Sequence, residues 1–372
     1  MFALGQSQAP AGQAPAQPAP APPAPSPWSV GPIDFTGLVD GYYGLNFNHP
    51  ASGFNGLNNG AYVRNFDVKA NQFSLNMAEL NLAHSADPVG FELDFGFGRA
   101  FDIITASEPP GSPNIFHNIR QAYATYKPSK DKNFQLDFGK FVTWAGAEVI
   151  ETHSNWNYSR SLLFNLAIPY YHFGLRATGT KGHYTGGVAV LNGWNNVEDN
   201  NTGKTLGLIG NITTKKVTWT NTYYTGPENT GTTQGFRNLY DTNVLFTPAD
   251  KFSAYINFDY AQNTSGAGKA KTTAEWFGIA VAPRFQFTGK AAVTPRFEYF
   301  KDRDGYTTGA PQILREFTLT YEYKLPEGVL ARLEYRRDWS TAKYFERGAG
   351  PGLYDHQDTL MLGIVAYFGP KR

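Results

Sequence analysis

Cysteine is missing from all 372 positions, so the chain can hold neither a disulfide framework nor a thiolate-ligated zinc or iron–sulfur centre. An oxidising, exported compartment is compatible with that absence. Long apolar runs are missing too: the best of them, Leu360 to Phe368, is about half of the ~20 residues a membrane-spanning helix needs. Charge of one sign is not in excess, with 32 basic against 31 acidic side chains, which excludes the clustered basic footprint of a nucleic-acid binder. None of the seven histidines has a partner at the i, i+4 spacing of a helical zinc site, so neither a metal nor another cofactor is expected. Met1 to Gly5 is too short to serve as a signal peptide, and the chain reads as close to a mature form.

Aromatic residues and glycine are plentiful instead. Twenty-two tyrosines, 28 phenylalanines and seven tryptophans carry far more apolar surface than a disordered chain, which stays unfolded because it has too little to bury. Only the beginning lacks them: Gln6 to Pro32 is nearly all Ala, Pro, Gln and Ser and favours extended polyproline conformations. Residues 1–32 are therefore read as a disordered leader, either a dispensable tail or a spacer reaching peptidoglycan.

From Ile33 the pattern becomes period-two alternation, the signature of strands with two chemically different faces. Val89, Phe91, Leu93, Phe95 and Phe97 oppose Glu92, Asp94, Gly96 and Gly98. Phe317, Leu319, Tyr321 and Tyr323 oppose Glu316, Thr318, Thr320 and Glu322, while Leu333 and Tyr335 oppose Arg332, Glu334 and Arg336. One face suits hydrocarbon and the other water. Links alternate in length as well. Short ones fall at 85–88, 127–133, 214–216, 247–251, 288–290 and 325–328. Eight longer Gly- and Asn-rich ones fall at 48–65, 105–117, 144–169, 193–203, 226–235, 262–271, 301–312 and 338–356. Short turns on one side and long loops on the other describe an outer-membrane barrel, and eight long links imply about sixteen strands.

The expected fold is thus all-β: a transmembrane antiparallel up-and-down barrel over 33–368, with a short tail at 369–372. Tyr42, Tyr43, Trp219, Tyr223, Tyr224, Trp276, Tyr299 and Phe300 lie near strand ends, where aromatic girdles meet the membrane interfaces. Outer-membrane lipid and lipopolysaccharide are the expected surroundings. The last strand ends on Phe368, which resembles the closing strand that the barrel-assembly machinery recognises, although Gly369 to Arg372 follow it.

The most distinctive stretch runs from Leu136 to Arg176 and contains Gly139-Lys140-Phe141, Gly146-Ala147-Glu148, Asn157-Tyr158-Ser159-Arg160-Ser161, Pro169 and Tyr171-His172-Phe173-Gly174. With Leu191-Asn192-Gly193-Trp194-Asn195-Asn196 downstream, this order and spacing resembles the β-barrel porin-2 (OmpL-like) family of bacterial outer-membrane porins. The resemblance implies passive passage of small solutes, outer-membrane localisation, no enzymatic activity and, as in other porins, a third loop folded into the lumen and a homotrimer.

The 144–169 link is third in order, and a loop that long either has a task or is disordered. Its Glu148, Glu151 and Arg160 are candidate constriction residues. Arg176, Arg296, Glu298, Arg332, Glu334 and Arg336 are candidate wall residues. Glu148 and Glu151 facing Arg176, Arg296, Arg332 and Arg336 would set up a transverse field that selects ions by sign. Ordinary loop salt bridges, worth little, are the competing account. Three other constellations carry less. His153-Ser154-Asn155 lies within one loop, where nucleophile and base rarely converge. Asp302-Arg303-Asp304-Gly305 lacks the later acidic ligands of a calcium loop and reads as a turn. Gly96 and Gly98 read as room for a neighbouring loop. Two classes remain: a diffusive channel, or a structural barrel tethered to the periplasm through the leader.

Overall fold

The computed structural model describes residues 28–58, 61–128, 133–266, 268–349 and 352–369. Sixteen strands, numbered here β1 to β16, form one antiparallel sheet: β1 (Ile33–Asn46), β2 (Gln72–His84), β3 (Val89–Phe97), β4 (Ile119–Tyr126), β5 (Phe134–Val142), β6 (Tyr171–Lys181), β7 (Tyr184–Leu191) and β8 (Thr205–Thr213). They continue with β9 (Val217–Gly226), β10 (Arg237–Ala249), β11 (Phe252–Ser265), β12 (Thr272–Gln286), β13 (Ala291–Asp302), β14 (Gln312–Lys324), β15 (Val329–Ser340) and β16 (His356–Phe368). Each strand pairs with its sequence neighbours, and β16 pairs with β1 from Gly37↔Phe368 to Asn46↔Thr359, so the sheet closes and has no free long edge.

The alternation sorts the two faces as their chemistry requires. Phe91, Phe95, Leu319 and Leu333 point outward and are 38, 37, 42 and 49 % exposed, while Glu316, Thr318, Thr320, Arg332, Glu334 and Arg336 are buried inside. Grease outside and polar groups within is the reverse of a soluble sandwich. No described helix is long and apolar enough to cross a membrane; strands do the crossing.

All eight expected long loops join strands on one side. The short turns number one more than expected, because Gly182-His183 reverses the chain between β6 and β7, with Gly182 at φ +62°. The girdle expectation needs a larger correction. Tyr43, Trp219, Tyr223 and Tyr299 do face outward, but Tyr42, Tyr224, Trp276 and Phe300 are almost fully buried inside. Successive side chains of a strand point to opposite faces, so neighbours such as Tyr42 and Tyr43 cannot both lie in a girdle.

The leader is described only from Trp28. Ser29–Val30 forms a two-residue strand on the start of β1, and the Trp28 ring lies 5.3 Å from Phe368. The rest of the expected disordered leader, residues 1–27, lies outside the described residues.

The inner face of β3 carries Gly96, where an added Cβ would meet the Phe101 ring of the short helix α1 (Arg99–Ile104) in the second loop. Glycine there makes room for a neighbouring loop. Gly363 on β16 plays the same part for the third loop, since an added Cβ would collide with the Tyr158 ring. Gly363→Val is therefore expected to displace Tyr158 and cost about 1–3 kcal/mol, read from the urea midpoint of the barrel in micelles.

Candidate functional site

The third long loop spans residues 143–170 and folds into the lumen. Its tip reaches far down: His153 stacks on Tyr367, next to the last residue of β16. Burial holds the His153 ring below its ordinary pKa, so it stays neutral at pH 7. The loop has little regular structure, a one-turn segment at Thr152–Ser154 and the short helix α2 (Leu162–Leu166) capped by the Ser161 hydroxyl, which accepts from Phe164 N. Its remaining backbone groups need partners, because a buried unpaired carbonyl or amide costs as much as a lost hydrogen bond.

The inner wall supplies them. Arg332 donates to the carbonyls of Thr152 (2.6 Å), Asn157 (3.0 Å) and Asn155. Arg336 donates to Arg160 O at 2.6 Å, and Arg296 to Ser159 O at 2.8 Å. Glu334 accepts from Tyr158 N (2.6 Å) and Ser159 N (3.0 Å), and Glu298 from Leu163 N (3.2 Å). On the strands these charges neutralise one another: Arg296 pairs with Glu316 and Glu298, Arg332 with Glu322, and Arg336 with Asp338 and Glu316. The loop adds Glu148, which pairs with Arg296 at 2.7 Å and accepts from Ser161 N. Arg160 turns inward on its own loop, donating to Val149 O, Tyr158 O and Ile150 O. Asp40 completes the seat from β1, accepting from Tyr158 OH at 2.6 Å and from the Thr152 hydroxyl. A bulge opposite Asp40 turns the extra residue Asn76 of β2 inward to donate to the same carboxylate.

Five of the six wall candidates, Arg296, Glu298, Arg332, Glu334 and Arg336, thus converge with Glu148 and Arg160 in one seat on β13 to β15. The structure does not bring Arg176 there. That guanidinium pairs with Asp137 at 2.8 Å and lies 4.2 Å from the Phe141 ring. Nor does Glu151 meet the wall arginines of the prediction; it pairs with Arg120 on β4 at 2.8 Å. Arg120 also binds Glu79 through two nitrogens and Asp94 at 2.5 Å. Sequence reasoning missed it because the register shift at Asp94/Phe95 breaks the alternation locally, so that Arg120 and the next residue, Gln121, are both buried.

Across the lumen from the seat the wall changes character. β7, β8 and β9 contain no Asp, Glu, Lys or Arg, a feature plain in the sequence but not used. Thr185, Ile209, Asn211 and Thr220 face a cavity of about 600 Å3, bounded on the other side by Trp144, Val149 and Glu151 of the loop, with Arg120 beside them. Elsewhere, Asp302 accepts from the amides of Tyr306, Thr307 and Thr308, and the expected turn at 302–305 is a carboxylate-capped one. Among the described residues no group of three or more His, Asp or Glu is arranged to hold a metal ion.

A closed sixteen-stranded barrel with a lipid-facing exterior and an inward third loop defines an outer-membrane porin. The chain belongs to the family described as "Putative beta-barrel porin-2, OmpL-like", whose model matches residues 32–368. It is a protein of the bacterial outer membrane, and family and fold point to a channel rather than an enzyme. Solved structures with the same fold include OmpT of Vibrio cholerae, 14 % identical with TM-score 0.57, covering 90 % of this chain and 97 % of that one. The outer membrane channel DcaP of Acinetobacter baumannii is 12 % identical with TM-score 0.58 over 90 % and 97 % of the two chains. An anion-selective porin from Comamonas acidovorans is 8 % identical with TM-score 0.59 over 90 % and 99 %. No curated protein matches the sequence.

Proposed function

We propose that this porin gives passive passage to ions and small polar solutes along a water path between the third loop and the uncharged wall of β7 to β9. The carrying observation is the cavity of about 600 Å3 in that gap, a size that suits small solutes. The loop cannot swing into the path freely, because the charges that seat it are consumed in contacts on the far wall. In this reading Glu148 and Arg160 shape the constriction by holding the loop, while Glu151 acts on permeating ions directly.

The sign of selectivity follows from the local balance. Arg120 contributes one positive charge against the carboxylates of Glu79, Asp94 and Glu151, and Glu151 is the most exposed of the three. Excess negative charge beside a narrow path favours cations. Planar-bilayer recording under a potassium chloride gradient tests both parts: steady open steps with a cation-side reversal potential are expected. A barrel that inserts and folds but shows no steady conductance would instead leave the structural, tethered reading. Glu151→Gln should move the reversal potential toward zero, since it removes the most exposed of these carboxylates.

The homotrimer belongs to the same proposal; one solved form of Vibrio cholerae OmpT is described as a trimer. The leader would then leave the barrel on the side of the short turns, where β1 begins, in position to meet peptidoglycan.

A further inference from the structure

β2 rises above its neighbour. The last pair between β2 and β3 is Ala78↔Phe97, yet β2 continues upward to Gln72, paired on that stretch only with β1. The β3-facing edge of Gln72–Met77 therefore has no strand partner; Gly98 packs against Asn76 and Met77, and along Gln72–Leu75 a notch of about 350 Å3 opens between the first and second long loops. Lys69, Gln72, Phe73, Leu75, Arg99 and Asp102 line it.

Its chemistry has two halves. At the top stand two cations, Lys69 and Arg99. The Lys69 ammonium lies 3.7 Å from the centre of the Phe54 ring and has no carboxylate within ion-pair reach among the described residues. Burial and the neighbouring Arg99 guanidinium both push it below the usual lysine range. Arg99 holds Asp102 at 3.3 Å, and that carboxylate is itself open to solvent. Below them, on the outer face, Phe73 is 84 % exposed and Leu75 is exposed beside it, both continuous with the lipid-facing belt through Tyr43. Between the two halves lies the backbone edge of Gln72–Leu75, which has no strand partner on that side and whose amides and carbonyls can bond hydroxyl groups.

We propose that this notch binds a phosphorylated glycolipid of the outer leaflet: phosphate on Lys69 and Arg99, sugar hydroxyls on the free edge of β2, and acyl chains over Phe73 and Leu75. Two cations against one solvated carboxylate complement a phosphate, and charge-assisted hydrogen bonds from guanidinium and ammonium are the strong kind. The apolar half identifies a membrane lipid as the source, because a free anion would leave Phe73 and Leu75 unused. The site is separate from the pore, so pore function and lipid binding stand or fall independently.

The test uses the full folded chain in detergent micelles, with native mass spectrometry and surface plasmon resonance as readouts. Three probes are compared: bis-phosphorylated lipid A, the same lipid with phosphates removed, and inorganic phosphate. Lipid A is expected to bind, the dephosphorylated form to bind at least about tenfold more weakly, and inorganic phosphate at millimolar concentration not to compete. Lys69→Gln with Arg99→Gln should weaken lipid A by about tenfold or more, and Phe73→Ser should weaken it separately. Neither change touches the loop seat, so heat-modifiable migration and conductance should match the parent and certify folding. Equal binding of the dephosphorylated lipid, full competition by inorganic phosphate, or an unaltered double variant would each overturn the assignment. So would a notch that excludes lipid because a second copy of the chain fills it, seen as oligomers that dissociate in the double variant.

Discussion

Arg296→Ala is expected to unseat the third loop and to leave a barrel that conducts more current with more noise. The guanidinium contacts Glu148, Glu298, Glu316 and the Ser159 carbonyl, all buried, and its removal leaves three carboxylates facing one another without their shared cation. Breaking a buried ion pair from one side costs about 3–5 kcal/mol, far more than the pair itself is worth. Urea unfolding in micelles should show a loss in that range, and single-channel records should show larger, fluctuating openings. Adding Glu148→Gln and Glu316→Gln should recover part of the lost stability, because fewer uncompensated charges remain. The quiet current should not return, because the bonds from Arg296 to Ser159 stay lost.

The second large effect is expected on the opposite wall. Asn211→Arg together with Thr220→Arg puts two positive charges where β8 and β9 carry none, facing the gap below Trp144. Register brings residues 211 and 220 side by side as direct partners, so both guanidinium groups would enter the same cross-section. The reversal potential should cross zero to the anion side, and conductance should fall by roughly half or more as side-chain volume narrows the gap. The folded fraction should change little, because Asn211 and Thr220 bond each other and Thr213 on the wall, while the loop rests on this side through Tyr224 and Thr222 instead. An unmoved reversal potential would show that permeating ions take another course.

The sequence made the barrel legible because each strand had to satisfy two solvents at once, and 89–97 or 316–336 can do so only with lipid outside and water inside. Loop order was legible for the same reason: glycine- and asparagine-rich links contrast with tight turns. What alternation could not decide was which partner a buried charge meets. Arg296, Arg332 and Arg336 lie on the inner face, but a period of two says nothing about distance across the lumen, and they touch the loop instead of opposing it over open water. Arg120 was hidden by a register shift, and half of the supposed girdle aromatics by adjacency to a residue already facing out. The two-residue turn at Gly182-His183 lay between strands too uniform in composition for a break to show.

The uneven distribution of inner charge has a consequence for how such a channel could diversify. The charged fastening of the loop is concentrated on β13 to β15, while on the proposed solute path the wall of β7 to β9 holds the loop through neutral contacts of Thr222 and Tyr224 with Thr143 and Trp144. On the proposed path, exchange of Thr185, Asn211 or Thr220, none of which bonds the loop, would retune which molecules are admitted without loosening the fastening, so cargo preference is free to drift while the scaffold stays under constraint.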